Sequence, residues 1–198
     1  MSIQTDMEQK IIEAAIACVE KLGEANATVR EIAREAGVNV AAINYYFRSK
    51  AQLMERVYEK TLENAFDWSD FAESAGAGVC ARMVHILSHL TVGAQTYPGI
   101  TRAHFLTLLD ARDGRAAPTR MFFARFMDRM YDDMVSRGAT PGDALRNRLI
   151  QAVSAAVLGI GLHVNLWNGF RDADMKKPAA CDRYIEELVN RLFGTEKD

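Results

Sequence analysis

Proline and cysteine are both scarce in this chain, with four prolines and three cysteines among 198 residues. Few prolines leave long stretches free to wind into helices without interruption. Cys18, Cys80 and Cys181 are odd in number and far apart. That pattern argues against a disulfide framework and leaves packed free thiols. Long apolar runs are missing too. No stretch of about 18 uncharged apolar residues occurs, so no membrane-spanning helix is expected. The opening residues, MSIQTDMEQK, lack the basic-then-apolar order of a secretory leader, and a cytoplasmic protein is expected. Nor does one sign of charge dominate, the formal net charge being −2. Bulk charge therefore gives no argument for nucleic acid or membrane binding, and any such claim must rest on placement.

What is present is helical periodicity. The chain is 49% hydrophobic, and its apolar residues recur at helical spacing nearly throughout, so an all-α fold is expected. Met7, Ile11, Ala14, Ala15, Cys18 and Leu22 mark a first amphipathic helix, with Gly23 a suitable stop. "TVRE" then places Thr28 as N-cap and Glu31 three residues on, the pattern of a capping box. Val29, Ile32, Ala33 and Ala36 give this second helix its apolar face, and Gly37 ends it. Asn39 can cap a third, very short helix, and Ser49 a fourth with Gln52 at its third position. Short capped helices this closely spaced are the punctuation of a helix-turn-helix unit.

The second helix of such a unit lies in the major groove with its N-terminal residues against base edges. In "NVAAINYYFRSK" (Asn39 to Lys50), Ile43 and Phe47, together with Val38 just before it, can pin the helix to its neighbours. Asn39, Val40, Ala41, Asn44, Tyr45 and Tyr46 are left for other work. Asn44 suits a bidentate pair with adenine, and Val40 and Ala41 suit contact with a thymine methyl. A tyrosine hydroxyl can reach a phosphate. Lys50, at the first turn of the next helix, is a natural phosphate clamp, and Thr28 and Arg30 open the preceding helix in the same way. From Thr28 to Lys50, Arg30, Arg34, Arg48 and Lys50 outnumber Glu31 and Glu35.

Residues 10–55 resemble the N-terminal domain of the TetR family of transcriptional regulators. The resemblance runs through "IIEAAIACVEKLG" and "TVREIAREAGVNVAAINYYFRSKAQL", and Gly37, Val38, Ile43, Tyr46, Phe47, Lys50 and Leu53 are its most diagnostic positions. It implies an Ω-shaped helical homodimer that binds a double-stranded DNA operator through three N-terminal helices. By position it implies that Arg30, Val40, Ala41, Asn44, Tyr45, Tyr46 and Lys50 contact DNA. Asn44 departs from the tyrosine that many members carry there.

The expected division is a DNA-binding domain over residues 1–50, a linking helix over about 50–66, and a helical ligand-binding and dimerisation domain over 51–198. In the second part helices are expected from about Gly78 to Thr96, Ile100 to Ala111, from Pro118 onward, from Thr140 to about Trp167, and from Ala180 to Phe193. Thr140, Pro141 and Asp143 read as N-cap, first-turn proline and third-position acid. Glycine inside a helix costs about 1 kcal/mol against alanine, so Gly159 and Gly161 need a reason. Close helix approach is the physical candidate, either inside one subunit or at the dimer interface that the family resemblance implies.

Met83, Phe105, Phe122, Phe126, Met130 and Trp167 could surround a small hydrophobic effector, with His104 and His163 as polar anchors. The same side chains at helical spacing could equally be ordinary core. "GAGVCA" lacks the strand that a dinucleotide fingerprint requires. No catalytic triad can be drawn, and no cofactor or metal is expected. His85 and His89 are spaced four apart, sterically suitable for a shared metal. Two rival readings follow: a metal or redox sensor on the same scaffold, and a helical-bundle enzyme. The reading reached is an effector-responsive, homodimeric DNA-binding regulator, expected to be a repressor, and not an enzyme.

Overall fold

The computed structural model describes residues 3–109, 117–167 and 174–194, and every regular element among them is helical. In order these are α1 (Ile3–Leu22), α2 (Val29–Ala36), α3 (Val40–Phe47), α4 (Lys50–Ala65), a 3₁₀ segment (Trp68–Ser74), α5 (Val79–Thr96), α6 (Pro98–Leu109), α7 (Ala117–Ser136) and α8 (Asp143–Val153). A π-helical stretch (Ser154–Leu162), a 3₁₀ turn (Val164–Trp167) and α9 (Pro178–Phe193) follow. The all-α class is as expected. The residues form two compact units, one of 1–64 with 97–122 and one of 65–96 with 123–198.

The first unit has a core of Ile11, Ala15, Val19, Ile32, Ile43, Leu53 and Val57, joined by Ile100 and Ala103 of α6. Each of its larger aliphatics contributes about 1.5–3 kcal/mol by leaving water. Glu20 of α1 caps α6 from a distance: its carboxylate accepts from Gly99 N at 2.9 Å and Ile100 N at 3.0 Å. An anion at a helix N-terminus meets unpaired N–H groups and the positive end of the dipole. That is why α6 starts at Pro98 instead of at Ile100, the expected position. Its expected end at Ala111 lies outside the described residues.

His104 is buried in the same unit. Its Nε2 lies 2.8 Å from Thr61 Oγ1 and its Nδ1 3.2 Å from Thr119 Oγ1. The Thr61 hydroxyl proton already goes to the Val57 and Tyr58 carbonyls, so Nε2 carries the imidazole proton and Nδ1 accepts from Thr119. Burial pushes its pKa down to about 4. It is a neutral, hydrogen-bonded core group.

In the second unit Phe71, Met83, Ile86, Leu87, Met130, Met134, Leu145, Leu149, Val189 and Phe193 close the core. Arg82, only 2% exposed, sits inside it. Its Nε donates to Asp133 at 2.9 Å, and its Nη1 donates to the Phe71 carbonyl and to Ser74 Oγ. Arg137 donates to the same carboxylate at 3.0 Å. Burial alone would raise the Asp133 pKa, but the hydrogen bonds from Arg137 and Arg82 outweigh it and hold the carboxyl below its ordinary value.

Two expectations for this unit need correction. The helix expected from Thr140 begins at Asp143, with Gly142 at the cap in a backbone conformation of φ 139° and no side-chain cap. The Gly142 N–H is taken by the Tyr131 hydroxyl at 2.9 Å, which draws the turn past the Thr140 site. The helix also does not run unbroken to Trp167. It widens at Ser154 into π-helical turns, an arrangement that frequently marks functional sites. A Cβ on Gly161 would stand 2.7 Å from the Ala94 side chain, so its close approach is to α5. Gly159 has open space where its Cβ would be, and the Trp167 indole N–H donates to its carbonyl at 2.6 Å.

Candidate nucleic-acid interface

The site is built by α2, α3 and the start of α4. Thr28 Oγ1 accepts from Glu31 N at 3.2 Å, which fixes the first turn of α2. The capping box is one-sided: the Thr28 N–H goes to the Asn26 carbonyl and the Glu31 carboxylate pairs with Arg34. Gly37 ends α2 with φ 63°, a left-handed conformation that costs glycine little. Asn39 Oδ1 then accepts from Ala42 N at 2.8 Å and starts α3, and Ser49 Oγ accepts from Gln52 N at 3.2 Å and starts α4.

Eight residues make only about two turns, so α3 must divide its side chains sharply. Ile43 and Phe47 are buried, with Val38 packed beside them. Asn39, Val40, Ala41, Asn44 and Tyr45 are exposed. Tyr45 is 73% exposed, a high exposure for an aromatic ring. Tyr46 is half-buried against the core and meets the Tyr45 ring edge-on at 5.2 Å. Thr28 and Arg30 are exposed at the opening of α2. Lys50 is half-buried, and its ammonium donates to the Glu24 carbonyl at 2.9 Å, which ties α4 to the loop before α2. The sequence-derived DNA-facing set thus lies on one local assembly.

Sequence reasoning left out Arg48. It is exposed and has φ 52°, the one non-glycine residue with positive φ among those described. Such a conformation is uncommon for a side-chain-bearing residue and concentrates at functional positions. Its signal in the sequence was a basic residue between the end of one helix and the cap of the next.

The residues expected around an effector are divided between the two units. Met83, Phe126 and Met130 are buried in the second unit, with Phe126 stacked on Phe66 at 4.7 Å. His104 is buried, and Phe105 and Phe122 half-buried, in the first unit. His163 and Trp167 are exposed. His85 and His89 both lean on Phe71 and face Asp70, with His89 Nε2 3.6 Å from its carboxylate. Among the described residues no three His, Cys, Asp or Glu side chains gather as a metal site. Among them, too, no helix is long and apolar enough to cross a membrane.

Residues 11–57 match the family model described as "Bacterial regulatory proteins, tetR family". The chain is 43% identical over 70 residues to "Probable HTH-type transcriptional regulator YttP" of Bacillus subtilis, covering 32% of this chain and 34% of that protein. It is 39% identical over 59 residues to "HTH-type transcriptional regulator BetI 2" of Chromohalobacter salexigens, covering 30% of this chain and 28% of that one. The chain thus spans about a third of the length of the curated relatives it matches. Over 96% of its length the fold resembles that of a transcriptional regulator from Rhodococcus sp. RHA1, with a TM-score of 0.75, 13% identity and 97% of that chain covered. A tetR-family transcriptional regulator from Streptomyces coelicolor is similar over the whole chain and 92% of its own, with a TM-score of 0.69 and 17% identity. At these identities the likeness is one of fold.

Proposed function

We propose, from the premise that this chain is a TetR-family protein whose residues 11–57 carry the family's helix-turn-helix domain, that it binds a palindromic DNA operator as a homodimer and represses transcription until a small effector with an apolar body releases it. The family is one of DNA-binding regulators and not of enzymes. Residues 1–50 read DNA, and residues 51–198 carry the effector site and the dimer interface.

The observation that supports DNA reading best is the division of α3. Its two large anchors, Ile43 and Phe47, are buried while Val40, Ala41, Asn44 and Tyr45 stand in solvent. Small residues at the start let the backbone approach base edges, Asn44 offers a donor and acceptor pair, and Tyr45 reaches the groove wall. Arg30, Arg48 and Lys50 supply phosphate contacts at the flanks.

Dimerisation is supported by apolar side chains that stand exposed among the described residues. Ile150 is 55% exposed and Leu158 is also exposed, and Gly159 leaves room for another backbone. Two helix-turn-helix units read half-sites about 34–36 Å, or a multiple of that distance, apart. An effector that favours a different spacing about 100-fold shifts the equilibrium by about 2.7 kcal/mol, enough to release the operator substantially.

Selection of bound duplexes from a random-sequence pool tests this. The expected outcome is enrichment of two-fold symmetric sites by a dimer, with affinity that falls steeply with salt. Recovery of no sequence above the unselected pool would contradict it.

A further inference from the structure

A cavity of about 300 Å³ opens between α5 and α9, lined by Ser88, Thr91, Val92, Gln95, Cys181 and Asp182, with Pro178 at its edge. Its volume is at the lower end for a small-molecule site. None of the residues expected from sequence to hold an effector lines it.

Thr91 is 1% exposed, and its hydroxyl has no hydrogen-bond partner among the described residues. A buried hydroxyl left unpaired is costly, so a native structure that keeps one calls for an explanation such as a bound group. Gln95 is held in place: its amide nitrogen donates to the Met175 carbonyl at 3.3 Å and to Cys181 Sγ at 3.4 Å. The Cys181 thiol donates in turn to the Met175 carbonyl at 2.8 Å. Both donors of the Gln95 amide are therefore engaged, and its carbonyl oxygen is what it can offer. Among the described lining residues Asp182 supplies the one charge, and Val92 and Pro178 supply apolar walls. An anion would meet the Asp182 carboxylate unfavourably. A purely apolar molecule would leave Thr91 and Gln95 unsatisfied.

We infer that this cavity is the effector site and that it takes a small protonated amine with an apolar body, an inference that rests on the reading of the chain as an effector-controlled regulator. The ammonium's three N–H groups meet the Asp182 carboxylate, the Gln95 carbonyl oxygen and the Thr91 hydroxyl oxygen, and the apolar part lies on Val92 and Pro178. The site has a route outward. Ala94, three residues from Thr91 on α5, is the side chain against which Gly161 of the π-helical stretch packs. A ligand that displaces α5 therefore presses on that stretch.

Calorimetric titration of the full chain tests this, with phenethylamine as the probe and 2-phenylethanol as its neutral counterpart. The expected result is one amine bound per chain, with affinity about tenfold or more above that of the alcohol, as a charge-assisted hydrogen bond implies. Asp182→Asn should remove the preference for the amine. Thr91→Val keeps the side-chain shape, so it should weaken the amine while melting no lower than the parent, because no hydrogen bond is lost. No binding at millimolar amine, or binding that neither variant alters, overturns the assignment. Operator affinity measured in parallel separates the two readings. Amine binding that depends on Asp182 without operator release keeps the site and contradicts effector control. Operator release by the amine that neither variant alters keeps effector control and overturns the site.

Discussion

Gly99→Ala should cost the first unit far more than one added methyl group usually does. A Cβ at residue 99 would stand 2.7 Å from both the Cα and the carbonyl oxygen of Glu20. Those are backbone atoms in the last turns of α1, so no side-chain rotation relieves the contact. Either α6 retreats or α1 bends, and both movements stretch the bonds from Gly99 N and Ile100 N to the Glu20 carboxylate. Overpacking of this kind costs about 1–3 kcal/mol. A chain of this length loses roughly 2–4 °C of Tm per kcal/mol, so thermal unfolding followed by circular dichroism should show a fall of about 2–12 °C. Glu20→Gln keeps the shape and removes the charge, and should cost about 0.3–2 kcal/mol. The two residues are in contact, so the double variant should lose less than the sum of the single losses. A Gly99→Ala protein that melts with the parent would show that α6 does not approach α1 this closely.

His104 gives a pH dependence. Its folded pKa is about 4 against an ordinary value of 6.5, so its stabilising effect is complete above the unfolded value and is lost as pH falls from about 6.5 to about 4. At about 1.4 kcal/mol per unit the loss is roughly 3 kcal/mol. His104→Gln should flatten that part of the stability profile in urea titrations, and an unchanged profile would remove His104 as the cause. Asp133→Ala should leave Arg82 charged and uncompensated in the core at a cost of about 3–5 kcal/mol. Arg146→Ala, which breaks an exposed pair with Asp143, should leave the melting curve unchanged. Gly161→Leu should lower Tm because the residue packs on Ala94. Gly159→Leu should spare the fold and weaken the dimer in sedimentation, and an intact dimer would move the interface elsewhere.

The features legible in the sequence were local ones. Thr28, Asn39 and Ser49 each bond an N–H three residues ahead, so residue type and spacing suffice to find them. Ile43 and Phe47 could be read as anchors for the same reason. The start of α8 was misread because it depends on Tyr131, eleven residues before Gly142. The cap on α6 comes from Glu20, 79 residues away from Gly99, and no local pattern announces it. Arg82 looks in sequence like a solvated charge; only the fold brings the Phe71 carbonyl and Asp133 to it. The cavity at Thr91 was invisible because its lining comes from two helices about 90 residues apart in sequence, and periodicity does not show which faces leave a gap.

The most direct test of DNA reading by α3 is the salt dependence of binding to a selected duplex for the parent, Asn44→Ala and Lys50→Ala. Lys50 also ties α4 to the Glu24 carbonyl, so its variant must first be shown folded at the assay temperature. Lys50→Ala should bind all sequences more weakly, with a log–log salt slope shallower by about 0.9 for one lost phosphate contact. Asn44→Ala should keep the parent's slope and lose about 1–3 kcal/mol of discrimination at a single base pair. If both variants bind the selected duplex with the parent's affinity and slope, the exposed face of α3 is not what reads DNA.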